Sequence, residues 1–409
     1  MKKLKASALP TVLILSVIIL LLILLAYSLW DMSTLYYSKY RYQKQQQEHL
    51  NSAALLYYND STHIESLDKD NGYTLYEDDE KSKVFYNIKQ WGFYECLTIS
   101  SYDNSLYSTR FAGMAEESLH AAALWMCDRD MSLSIAGDTK IEGSVYIPMR
   151  GLNYITMVST PFTGETISES NIRLADRLLP AIDTSCIDYV NQLKETDVLS
   201  SLASTNTEYV SFEDETVHLT VPNKTNNLIA RGNVVLHAED ITISSEEKIS
   251  DIILIAKKVT IESGFEGSLQ IFASDTVIIE QDVRLRYPSG VYLNGNGGKT
   301  HLDIGRNSSV DGYAIIFGVL ENTSSFIPDI NYHQQEESTL RGLLYVDGIA
   351  NLKGDIHGAA YIGVCYYLSG EIMYVETLFN TAITRNNQIA YPLLFSQGKY
   401  KRREIKSVY

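Results

Sequence analysis

The chain has 409 residues, 45% of them apolar, which allows a sizeable core and excludes global disorder. Lys and Arg total 34 against 50 Asp and Glu, a formal net charge of −16. An anionic excess of that size argues against nucleic acid and anionic lipid headgroups as partners.

Met1-Lys2-Lys3-Leu4-Lys5 is a short basic head, and an uncharged apolar run follows from Leu9 to Trp30. As a helix rising ~1.5 Å per residue, these 22 residues reach roughly 33 Å, enough for a ~30 Å hydrocarbon core. The lipid bilayer is therefore the first expected partner, through Leu9 to Trp30. Lys2, Lys3 and Lys5 favour the cytoplasmic side of an inner membrane, which puts residues 31–409 in the periplasm or outside the cell. A secretory h-region is only ~7–15 residues long, so a retained anchor is expected rather than a cleaved signal.

Beyond Trp30 the pattern stays helical. Tyr36, Tyr40, Gln43, Gln47, Leu50, Ala54 and Tyr57 recur at alternating spacings of four and three. The spacing predicts one long helix, membrane-embedded and then amphipathic, ending near Asn59-Asp60-Ser61. Residues 64–112 read as short strands and turns, and residues 113–127 as a short helix. The 29 Tyr suit half-wet positions, and they are expected to tile exposed β faces.

Three downstream segments are in phase, starting at Leu236, Leu254 and Phe272 with 18-residue steps. In each, the third position is Ala or Ser, and the sixth and eighth are β-branched. That combination predicts stacked turns of chain, each burying its inward row against the next, as in a parallel β-helix. A second recurrence, aliphatic-x-Gly-x-x-Tyr-aliphatic, begins at Ile141, Leu340 and Ile356, with Gly143, Gly342 and Gly358 at tight corners. The expected class is mainly β: a long N-terminal helix followed by a β-rich domain containing the solenoid. The expected division is a cytoplasmic head (1–8), a transmembrane helix (9–30), an amphipathic extension (31–60) and a mixed α/β linker region (61–130). A β-rich segment with an excursion from the solenoid (131–229), the β-helix (230–370) and a C-terminal cap and tail (371–409) complete it. The tail Lys399-Tyr400-Lys401-Arg402-Arg403-Glu404 either caps a coil end or hangs free.

Chemistry is sparse. Four cysteines, Cys96, Cys127, Cys186 and Cys365, allow either two disulfides in an oxidising compartment or four buried thiols. No C-x-x-C, H-x-H, H-E-x-x-H, G-x-S-x-G or P-loop occurs, so no cofactor, metal or catalytic residue is assigned. Glu117 and His120 have the spacing of half a di-metal site, with no second half. His237 and His357 are expected in strands or corners with structural roles. Asp240, Glu262 and Glu280 are expected on outward coil positions, the last two in one acidic row.

The head Lys5-Ala6-Ser7-Ala8-Leu9-Pro10-Thr11-Val12-Leu13, with the apolar helix that becomes amphipathic, resembles the N-terminus of a type IV prepilin or pseudopilin over residues 1–57. The resemblance implies peptidase cleavage between Ala6 and Ser7, where the family usually has Gly and then Phe. It implies other envelope or pilin-like subunits as partners. Thr11 stands where the family usually carries Glu, which implies a minor or tip subunit rather than a major one. The turns over 230–370 resemble bactofilin-type β-helices, which implies a self-associating scaffold. The expected function is a non-catalytic structural component of a filament or secretion apparatus. The alternatives are a tethered β-helix enzyme or binding module with a glycan partner, and a self-associating scaffold.

Overall fold

The helix α1 runs unbroken from Ala8 to Asn59. Pro10 lies in its first turn, where a missing N–H leaves no helical bond unmade. From Pro10 to Asn59 it is long and apolar enough to cross a membrane, with a mean hydropathy of 3.1 in its most apolar window and none of that window buried. The computed structural model describes residues 8–65, 72–77, 79–116, 121–195, 207–225, 227–318, 329–370, 372–395 and 401–408. Among the described residues strand accounts for 48% and helix for 20%, so the class is mainly β with one long apolar helix at the front.

The amphipathic stripe on α1 sits off the expected register. Gln46, His49, Leu50, Ala53, Ala54, Tyr57 and Tyr58 are buried, whereas Tyr36 and Tyr40 are exposed. Gln43 and Gln47 are exposed as well. A straight helix drifts about 20° per heptad from strict 3.5-residue spacing. Positions read at alternating fours and threes therefore leave the buried face as they are followed back from Tyr57.

The chain forms two compact units. The first holds residues 1–55, 68–85 and 99–107. Within it Tyr73 pairs antiparallel with Val84, Tyr42 donates to Asp103 Oδ2 at 2.9 Å, and Gln46 Nε2 donates to the Lys81 carbonyl at 3.1 Å.

The second unit holds the remainder, built around a closed arrangement of parallel strands. Leu236 lies opposite Leu254, Ile241 opposite Val259 and Ile243 opposite Ile261, which is the 18-residue step seen in the sequence. The next turn pairs Leu254 with Ile271 and Ala256 with Ala273, then Val259 with Val277 and Ile261 with Ile279. An irregularity between Ala256 and Lys258 absorbs the extra residue. The expected match of Leu254 with Phe272 is thus off by one. Because side chains alternate faces, one step moves a residue to the other side of the sheet. Ile271 belongs to the interior core and Phe272 to a second core outside it.

Stacking order departs from chain order. Strand Asp355–Ser369 is followed in the stack by Ala122–Met126, then Ser144–Ile147, then Ile172–Leu174. Among the described residues of 113–127 the expected short helix is not formed: Ala122 to Met126 are all buried, in a strand sandwiched between two others. A segment covered on both faces reads as a continuous apolar run, which periodicity cannot tell from a helix. At the opposite end, Val217–Thr220 pairs with Val234–His237. Strands at both flanks of residues 149–229 therefore join the stack, and between them lies the helix Thr184–Glu195.

The outer core explains the tyrosines. Phe272, Tyr292, Ile315, Tyr345, Tyr361, Trp125 and Tyr146 occupy successive register positions on one outward face. Trp125 stacks on Tyr146 with ring centroids 4.4 Å apart. Trp91, Phe93, Phe111 and Leu394 cover the row. Tyr94, Tyr292, Tyr313, Tyr332, Tyr361 and Tyr391 are fully buried, contrary to the expected exposed tiling. Gly342 sits at a corner with φ 142°, where a Cβ would lie 1.8 Å from the Gly312 carbonyl oxygen, so only glycine lets the turns approach this closely.

Candidate functional site

The second unit contains a cavity of about 290 Å³ whose lining includes Glu65, Gln90, Glu95, Asp183, Cys186 and Arg402. Each arrives from a separate part of the chain. Glu65 ends the short helix Ser61–Glu65, Gln90 and Glu95 flank a hairpin, Cys186 sits in Thr184–Glu195, and Arg402 opens the last strand. That strand, Arg402–Val408, runs antiparallel to Tyr107–Met114 with Arg402 opposite Met114. Arg402, Arg403 and Glu404 of the basic tail are therefore part of an integral strand.

Arg402 grips Glu95 with two parallel bonds, Nε to Oε2 and Nη2 to Oε1, both 2.8 Å. The Tyr57 hydroxyl donates to the same carboxylate from the end of α1. Burial and the neighbouring carboxylate push the Tyr57 hydroxyl far above its ordinary range, so it stays a donor. Next along the helix, Tyr58 donates to Glu404 Oε2 at 3.2 Å, and Arg110 Nη1 holds that oxygen at 3.0 Å. Glu65 lies 3.6 Å from Arg402 Nη2, and burial, then the Glu95 charge, raises its carboxyl.

This geometry fastens the helix end rather than activating a nucleophile. Both oxygens of Glu95 are occupied by fixed donors. The Cys186 thiol is pushed up to about 12 by burial and points at the Leu393 carbonyl, so it is no thiolate at neutral pH.

A second buried polar group acts in the same manner. Gln270 accepts from the Phe93 N–H and from the Tyr313 hydroxyl, both at 2.9 Å, and donates to the Trp91 carbonyl at 2.9 Å. It pins the hairpin at Gly92 against the stack.

The residues singled out in the sequence fall as follows. Ala6, Ser7, Glu117 and His120 lie outside the described residues. Cys96, Cys127, Cys186 and Cys365 are all free and buried. Burial lifts the Cys96 and Cys127 thiols to about 12 and also raises the Cys365 thiol well above its ordinary value. His237 Nε2 lies 3.1 Å from His218 Nδ1, and burial lowers both imidazoles. His357 Nδ1 lies 2.8 Å from Thr384 Oγ1. Asp240 is exposed opposite Lys258. Glu262 and Glu280 follow the paired residues Ile261 and Ile279, and Glu280 accepts from the Ser263 N–H and hydroxyl. Among the described residues no group of three or more His, Cys, Asp and Glu is placed to hold a metal.

Sequence reasoning missed the Tyr57, Glu95 and Arg402 cluster. Its members are 38 and 307 residues apart in sequence, and only the returning C-terminal strand joins them. The chain matches no protein-family model, no curated protein and no solved structure.

Proposed function

We propose that this chain is a non-catalytic, single-pass protein of the cell envelope, prepilin-like at its N-terminus. It acts as a minor or tip subunit, or another structural component, of a filament or secretion apparatus. Its first 30 residues anchor it in the inner membrane, the bulk of the chain lies outside, and the parallel stack is a β-helix. One observation carries this reading. A single unbroken helix begins as an apolar span and ends in a buried polar clamp to the β body, through Tyr57 on Glu95 and Arg402. A long apolar helix continuous with a β-rich body suits lateral packing of helices in a membrane. The 18-residue parallel register supports the solenoid, since each turn pairs with the next in sequence over residues 234–279.

Mass spectrometry of the native N-terminus tests the prepilin reading. A chain starting at Ser7 with a methylated amine is the expected result, and a start at Met1 reduces α1 to a plain tether. Deleting residues 1–30 should release a soluble protein. A truncated chain that still fractionates with membranes would sink the anchor.

A further inference from the structure

The chain-wide charge hides a local reversal. From Met32 to Gln47, separated from the apolar run by Asp31 alone and ahead of an acidic body, α1 carries Lys39, Arg41 and Lys44 and no acid. Tyr36, Tyr37, Tyr40 and Tyr42 share that stretch, as aromatic residues do at membrane–water boundaries.

In the first unit this stretch walls an open groove of about 880 Å³ whose lining includes Tyr37, Arg41, Lys44, His49 and Tyr76. Two cations and one acid, Glu48, are the charged groups on it. The Arg41 guanidinium lies 5.9 Å from the Tyr37 ring centroid. His49 supplies an independent sign. It is 5% exposed, it borders the groove, and its Nδ1 has no hydrogen-bond partner. Buried ring nitrogens are ordinarily paired, so an open one beside a basic groove marks a place for an acceptor or donor from outside the chain.

We propose that this groove binds a phosphate-bearing anionic group, supplied by the headgroup of a membrane lipid. The lipid source rests on the reading of α1 as a membrane span. Arg41 follows Trp30 by eleven residues and Lys44 by fourteen, roughly 16 and 21 Å along the helix. The headgroup layer extends about 5–8 Å beyond the hydrocarbon. Helical side chains lean toward the N-terminus, so Arg41 and Lys44 reach back toward that layer. The exclusion of anionic lipid drawn from the net charge of −16 fails here because screening confines each charge to its neighbourhood, about 8–10 Å at physiological salt.

The test is native mass spectrometry of the full chain in detergent micelles with added phosphatidylglycerol or phosphatidylcholine. The comparison is the double variant Arg41→Gln, Lys44→Gln, whose side chains are exposed and leave the fold intact. The wild type should retain phosphatidylglycerol preferentially, and the double variant should retain it roughly tenfold less. Retention that millimolar inorganic phosphate does not displace supports the lipid source. Phosphate binding that the double variant loses, without preference between the lipids, supports the same chemistry from a free anion. Equal retention of both lipids with no phosphate binding, or a preference unchanged in the double variant, overturns the proposal. Partition of the full chain into the aqueous layer of a phase-separating detergent would instead overturn the membrane span, and the phosphate arm remains readable.

Discussion

Replacing Arg402 by Met tests whether the clamp holds the helix end to the β body. The Glu95 side chain is 10% exposed and that of Arg402 14%, so the pair is nearly dry. Removing one partner of such a pair leaves a buried carboxylate with a single donor, Tyr57, and typically costs about 3–5 kcal/mol. The Tyr57 bond offsets part of this, since a hydrogen bond to a charged group contributes about 1.5–3 kcal/mol. We therefore expect Arg402→Met to cost about 2–4 kcal/mol. The double variant Glu95→Met, Arg402→Met should recover much of that loss, because apolar isosteres often replace a buried ion pair at little net cost. Guanidinium unfolding of the full chain in detergent, followed by tryptophan fluorescence, reads both. Trp91 and Trp125 are buried in the second unit and report its opening. A single-variant loss below about 1 kcal/mol would class the pair with exposed ion pairs and refute the clamp.

Other outcomes follow from the same packing. Glu376 is 1% exposed, both its oxygens lack hydrogen-bond partners, and burial raises its carboxyl to about 7. A carboxyl raised in the folded state favours folding fully below its unfolded value near 4.5 and loses that contribution as pH climbs through 7, about 3 kcal/mol in all. Glu376→Gln should flatten the stability profile between those limits, and an unchanged slope in urea titrations would disprove the assignment. Gly342→Ala should cost more than about 3 kcal/mol, since no side chain can yield to a backbone oxygen 1.8 Å away. Gly151→Ala, with no atom within 4 Å of its Cβ, should cost about 1 kcal/mol for its φ of 84° alone; equal melting temperatures would contradict this. All four thiols should resist a charged disulfide reagent until the protein unfolds, and rapid labelling of any one would contradict its burial.

Local rules carried the parts of this fold that local physics determines. The long apolar helix is legible because 22 uncharged residues leave the chain few other options, and the end of α1 at Asn59 follows the polar run Asn59-Asp60-Ser61. The 18-residue register was legible at Leu236 and Leu254, where no bulge intervenes. It failed at Phe272 because one extra residue shifts the face without changing the composition. Ala122–Met126 read as a helix because its partners, Tyr361 on one side and Tyr146 on the other, come from distant parts of the chain.

The same reasoning explains why the clamp and the aromatic row escaped notice while the basic collar did not have to. Arg402 and Glu95 are ordinary charged residues in sequence, and their meaning arises only when residues 307 positions apart meet in a dry site. Desolvation strengthens the attraction between paired charges, and it also makes an unpaired charge costly. A topology that returns the C-terminal strand to Tyr107–Met114 therefore commits Glu95, Arg402 and Tyr57 to one another. Lys39, Arg41 and Lys44, by contrast, sit within six residues of one helix, so their joint field is set by spacing alone. If that field recruits a headgroup, raising the salt from 50 to 500 mM should weaken lipid retention while leaving the buried clamp's unfolding midpoint nearly unchanged. A parallel loss of both would mean that the groove and the clamp share one origin.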